Sequence, residues 1–245
     1  MVSVASFAPE TNGFRFANAF PDAPVMTIPI PGWGVVPVGD ASNGLCGGMV
    51  FAARDFFESR QTLPLDSNPP APGSPLFGMI VQRLIDSFNL PEGPLRYFQW
   101  MNLPDEDSWI GAGLATRTRA EAVKLRREID RGHLACLGLI RSHSHDPGDL
   151  GKNHQVLAYG YEVDASNRLT LHLYDPNHPE GDTSLAIDLT SGAPLQFEYS
   201  TKEPTRGFFV SNYRKVDPRA LLGGQPATAR SLIEHALRFL ARPFQ

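Results

Sequence analysis

The chain has 245 residues, with 22 Lys+Arg against 26 Asp+Glu for a formal charge of −4; 42% of its residues are hydrophobic and 20% charged. That supply of apolar side chains is enough for a packed core and excludes wholesale disorder or a fibrous repeat. A mildly acidic chain without a long Lys/Arg run lacks the electrostatic footprint that nucleic-acid backbones or anionic lipids require, so neither nucleic acid nor membrane is expected as a partner.

No stretch approaches the ~18 apolar residues of a transmembrane helix, and the start of the chain has neither the positive nor the apolar region of an export signal. The two cysteines, Cys46 and Cys136, match neither a disulfide framework nor a zinc-knuckle spacing. A reducing, cytoplasmic setting and a single domain are therefore expected.

In chain order, residues 1–40 are rich in Pro and Gly (Pro21, Pro24, Pro29, Pro31, Gly32, Gly34, Pro37) and read as an N-terminal arm laid on a core. A mainly helical half, 41–132, follows. Its first helix starts near Cys46, with Met49, Ala52, Ala53, Phe56 and Phe57 recurring on one face. A second opens with Ser74 as N-cap and Pro75 at the first helical position and runs to about Phe88. A third is expected to start at Thr118, because Thr118 and Glu121 have the spacing of a capping box, and to end at Gly132.

Beyond Gly132 the period changes to that of strands. Candidates are 133–140, 155–163, 169–174, 185–189, 195–200 and 207–213 in a sheet half spanning 133–215, and an amphipathic helix is expected over about Thr228–Ala241, within a C-terminal segment 216–245. Helices first and an antiparallel meander second make the expected fold class α+β.

Cys46 lies at a helix start inside Asn43–Gly44–Leu45–Cys46–Gly47–Gly48. The unpaired N–H groups there favour thiolate over thiol, and the flanking glycines are read as leaving room for a substrate backbone. Cys136, among Leu134, Ala135, Leu137 and Leu139, reads as core packing. A thiolate nucleophile needs a base and a group that orients the base. His154 begins one strand and Asp175 follows the next. A four-residue turn at 164–167 would set position 154 opposite Asn177, with Asp175 the diagonal neighbour on the same face; a turn one residue longer or shorter would turn one of them away.

Cys-Gly at a helix start, the strand opening Asn153–His154–Gln155–Val156–Leu157–Ala158–Tyr159–Gly160–Tyr161, and Leu173–Tyr174–Asp175–Pro176 together resemble papain-like cysteine peptidases, nearest the bacterial branch that trims double-glycine leader peptides and its soluble relatives. The resemblance covers about half the chain, from Asn43 to Asn177. It implies a papain-like fold and a peptide or amide substrate, with Cys46 as nucleophile, His154 as base and Asp175 as orienting acid, Asn177 being an alternative third member. No metal or cofactor is called for.

The chain departs from that pattern at Asp40, where the family carries an oxyanion-stabilising Gln, since a carboxylate would repel a developing oxyanion. Asn43 and the Cys46 backbone N–H are the substitutes considered. In a second register Asn43 takes the glutamine's place and Met49 the nucleophile's, leaving a non-catalytic binding module.

His143 and His145, with Asp149 and His154 nearby, offer a third reading as a zinc hydrolase, although Asp146 and Pro147 depart from a metal-ligand run and a solvated loop is the plainer state. Trp33, Tyr97, Phe98, Trp100 and Trp109 could line a cleft or simply fill the core.

Overall fold

A computed structural model describes residues 1–20, 26–30, 34–38, 44–89, 92–109, 111–190 and 195–223. The class is α+β. Helices α2 (Cys46–Glu58), α3 (Pro75–Ser87), α4 (Glu92–Met101) and α5 (Leu114–Asp130) precede most of the main sheet. Its strands are β4 (Ala135–Ile140), β5 (His154–Val163), β6 (Arg168–Tyr174), β7 (Thr183–Asp188), β8 (Phe197–Tyr199) and β9 (Gly207–Val210).

Strands β4 to β8 run as the expected meander, but β9 returns to pair with β4, giving the order β8-β7-β6-β5-β4-β9, antiparallel throughout. Strand β5 is ten residues long and outruns β4, and where β4 leaves its edge a short strand β1 (Val2–Ser3) takes over, Val2 opposite Tyr161. Beyond β1 lies one helical turn, α1 (Pro9–Asn12), and Phe7, Phe14, Phe16 and Phe20 are all buried. The first twenty residues thus contribute several side chains to the core. Residues 26–30 and 34–38 form a separate hairpin, β2 and β3.

Ser74 caps α3 as its sequence predicts, its hydroxyl accepting from Phe77 N at 3.3 Å. Helix α5 differs from expectation. It begins four residues before Thr118, with Gly113 at the N-cap, and its first N–H groups are met by Asp107 and by the carbonyls of Pro104 and Asp105. Thr118 and Glu121 are one turn apart in mid-helix, so they share a face. That face is buried on β9, where the Glu121 carboxylate accepts from Val210 N at 2.9 Å. The spacing of a capping box is equally that of two neighbours on one helical face, and burial decided between them.

Helix α4 lay unrecognised among the aromatics, and its Trp100 and Met101 form a small second core with Phe209 and Ile140. A last short helix, α6, spans Pro218–Leu222. The helix expected at 228–241 lies outside the described residues.

Candidate active site

Gly47 and Gly48, which follow Cys46, do not face substrate. A Cβ at Gly48 would fall 2.0 Å from the Ile80 carbonyl oxygen, and one at Gly47 would fall 2.4 Å from Gln155 Nε2 and 2.5 Å from Ser87 Oγ. These glycines let the start of α2 press against α3 and β5. This corrects the expectation that both leave room for a bound chain. They bring the helix start close to the strand carrying His154.

Cys46 is the first residue of α2, and the N-cap residue Leu45 supplies no side-chain cap. Its thiol lies beside the His154 imidazole and the Gln155 backbone N–H, close enough for both to act on its ionisation. Burial pushes the thiol pKa up, but the His154 imidazole and the Gln155 N–H outweigh it and hold the pKa below the ordinary value. His154 Nε2 lies 2.6 Å from Asp175 Oδ1, which leaves Nδ1 for the thiol. The imidazole loses by desolvation and gains more from the Asp175 carboxylate and the sulfur, so its pKa rises to about 9. Asp175 is fully buried, yet the imidazole, the Tyr199 hydroxyl and the Asn177 N–H at 2.8 Å hold its pKa at about 2. Cys136 shows the opposite: it is fully buried, and desolvation raises its pKa to about 11 despite the nearby Arg54.

The β5–β6 hairpin delivers this geometry by two compensating shifts. Its turn closes one residue later than expected, with Val163 opposite Leu169, and Asn167 in the left-handed region at φ 64°. Uninterrupted pairing in that register would turn His154 away from Asp175. A bulge at Tyr159 removes the offset, so that Leu157 lies opposite Tyr174 and the ladder aims position 154 at 177, as the shorter turn would have done.

A cleft of about 380 Å³ opens onto the thiol, with Asn18, Gly44, Cys46, Arg141, Asn153 and His154 in its walls. Asn177 lines it too, but it serves Asp175 through its backbone N–H; the acid beside His154 is Asp175. Asn43 and Asp40 lie outside the described residues. Met49, the nucleophile position of the second register, is sealed in the core and Cys46 stands beside the histidine instead.

Among the described residues, His143, His145, Asp149 and His154 do not converge on one point: Asp149 pairs with Lys152 at 2.6 Å and His154 with Asp175. Asp175, His178 and Glu203 do approach one another, but both Asp175 oxygens are already engaged and Glu203 pairs with Arg141 at 2.8 Å. Of the aromatics, Tyr97 sits behind the site, its hydroxyl donating to the His154 carbonyl at 3.3 Å, Trp100 is buried and Trp109 is exposed; Trp33 lies outside the described residues.

Sequence reasoning missed Asn18, Tyr199 and Gln155. Tyr199 lay in a recognised strand, but its role depends on how far a phenol reaches across β7. Asn18 lay in a segment read as an arm. Among the described residues no helix is long and apolar enough to cross a membrane. Comparisons of the chain with protein-family models, with curated proteins and with solved structures found no match.

Proposed function

We propose that the protein is a papain-like cysteine hydrolase of peptide or amide bonds, with Cys46 as nucleophile, His154 as general base and acid, and Asp175 as the group that orients the imidazole. The observation that carries the reading is the placement of Cys46, at a helix start without a side-chain cap, in one cleft wall with His154, whose Nε2 is 2.6 Å from a buried carboxylate and whose ring lowers the thiol pKa. Three residues from three stretches of chain come together there, and Cys46 and His154 are among those that line the cleft.

Both shifts run in the direction that favours moving the thiol proton to the imidazole. The sulfur would add to a carbonyl carbon, forming the C–S bond as the carbonyl electron pair moves to oxygen. The Cys46 backbone N–H, at the first helical position where no carbonyl one turn earlier in the helix is available to it, would donate to that developing charge. Collapse restores the carbonyl and breaks the C–N bond, the departing amine taking the proton from His154 Nδ1. Water then adds to the thioester while Nδ1 accepts its proton, and the second collapse releases acid and regenerates the thiolate.

The test is alkylation by iodoacetamide, read by mass spectrometry at about pH 6–7. Cys46 is expected to label at least ~100-fold faster than Cys136, and His154→Ala should bring Cys46 down to the rate of an ordinary thiol. Turnover of a fluorogenic peptide mixture, lost in Cys46→Ser, would establish hydrolysis. Equally slow labelling of the two cysteines would overturn the proposal, and fast labelling without turnover would favour a binding module.

A further inference from the structure

The reacting groups come from two distant parts of the chain. The sulfur sits at the start of α2, and the imidazole and carboxylate at adjoining ends of β5 and β6. Something must fix the distance between these parts, because thiolate stabilisation by an imidazolium falls away steeply with separation.

One side chain from outside both parts spans them. The Leu45 N–H, immediately before Cys46, donates to Asn18 Oδ1 at 2.7 Å, and Asn18 Nδ2 donates to Asn177 Oδ1 at 3.1 Å. The Asn177 N–H in turn donates to Asp175 Oδ1, the same oxygen that His154 Nε2 approaches. The Asn18 N–H itself donates to the Pro176 carbonyl at 2.8 Å, so the residue is held on the acid's turn by backbone as well as side chain.

The approach is close enough to constrain the sequence opposite. Gly44 has φ +48°, and a Cβ there would fall 2.4 Å from Asn18 Nδ2. Leu45 is fully buried, so its N–H has little access to water as a substitute partner. A carboxamide suits the task because it accepts at one atom and donates at the other.

We propose that Asn18 is a positioning residue, holding the helix start that carries Cys46 against the turn that carries Asp175 and so setting the Cys46–His154 contact. The inference rests on the cysteine-hydrolase reading above. It makes the N-terminal segment part of the site.

The experiment is the pH dependence of iodoacetamide alkylation at Cys46 in wild type, Asn18→Ala, Asn177→Ala and the double variant, with Cys136 labelling as the measure of an intact core. Asn18→Ala should slow Cys46 at about pH 6–7 by about tenfold, the size that one lost hydrogen bond carries. Its rate should rejoin the wild type only at a pH well above the ordinary thiol value, where even a buried thiol ionises without help. Asn177→Ala should slow Cys46 less, and the double variant should match Asn18→Ala, because the two side chains act through one link. A purely structural role would lower stability without moving the pH–rate profile.

An Asn18→Ala profile identical to wild type, or full multiplication of the two single effects, would overturn the bridge while leaving the hydrolase reading intact. Wild-type Cys46 labelling no faster than Cys136 would overturn both. If Cys136 labels rapidly in Asn18→Ala, the core has opened and Asn177→Ala decides: an unchanged profile there overturns the bridge.

Discussion

Tyr199 donates its hydroxyl to Oδ2 of Asp175, the carboxylate oxygen that His154 leaves unused. The tyrosine is itself buried, and desolvation together with the adjacent carboxylate drives its pKa far up, so it remains a donor across the accessible pH range. With His154, Asn177 and Tyr199 all pointing at it, the carboxylate is ionised and fixed in orientation.

Tyr199→Phe should therefore cost about 1.5–3 kcal/mol, the range for a hydrogen bond to a charged group, measured by urea unfolding at neutral pH. The sign with pH follows from the direction of the shift. Asp175 lies below its ordinary 3.8 in the folded protein, so its contribution is present above 3.8 and is lost as pH falls through about 2. Removing one donor raises the folded value, and the acid-unfolding midpoint of Tyr199→Phe should lie at higher pH than wild type.

His154 gives the opposite limb. Its folded pKa of about 9 exceeds the ordinary 6.5, so its stabilisation is complete below 6.5 and disappears as pH rises through about 9. Wild-type stability should fall across that window by less than about 1.4 kcal/mol per pH unit, the limit for one proton, because the lowered Cys46 thiol contributes with the opposite sign. His154→Gln should be nearly flat there. Parallel denaturation curves for the two proteins from pH 6 to 10 would contradict the assignment.

Gly48→Ala places a methyl group against the Ile80 carbonyl and should cost about 1–3 kcal/mol as α2 and α3 separate. The same displacement moves the start of α2, so Cys46 alkylation at about pH 7 should slow as well. Gly181→Ala, where a Cβ meets nothing within 4 Å, is the control and should change neither. Thermal unfolding and alkylation rates check both.

Arg83 is almost fully buried and faces Asp55 at 2.6 Å and Asp86 at 2.6 Å, while Asp55 also accepts from Tyr213 at 2.6 Å and Val216 N at 3.0 Å. This cluster ties α2 and α3 to the segment after β9. Arg83→Met should destabilise by about 3–5 kcal/mol, since the buried Asp55 would lose its cation and must either stay charged in the core or take up a proton. Urea unfolding measures it. Alkylation of Cys46 in the fraction that stays folded should be unaffected, because the cluster does not touch the site.

The parts of this architecture that were legible in the sequence are those fixed locally. Ser74–Pro75 names a helix start because cap and first-turn chemistry act within four residues. The strands at 135–140 and 154–163 announce themselves as continuous apolar runs, and Cys46, His154 and Asp175 could be singled out because each lies at an element's end. The pairing of His154 with Asp175 was within reach for a subtler reason: two offsets, the longer turn and the Tyr159 bulge, cancel. Neither leaves a distinct mark in the sequence, since bulge residues resemble strand residues. Thr118 and Glu121 misled because a capping box and a buried helical face share one spacing. Asn18 and Tyr199 were illegible because each matters only through contacts more than twenty residues away, which no local pattern encodes.

The origin of the site in several stretches of chain also sets when it can exist during synthesis. Asn18 and the thiol leave the ribosome early, the imidazole and its carboxylate more than a hundred residues later, and the tyrosine on β8 later still. Until His154 and Asp175 have been made and β8 has docked, these groups cannot all meet. On the proposed reading, the reactive form of the sulfur is therefore a late product of folding.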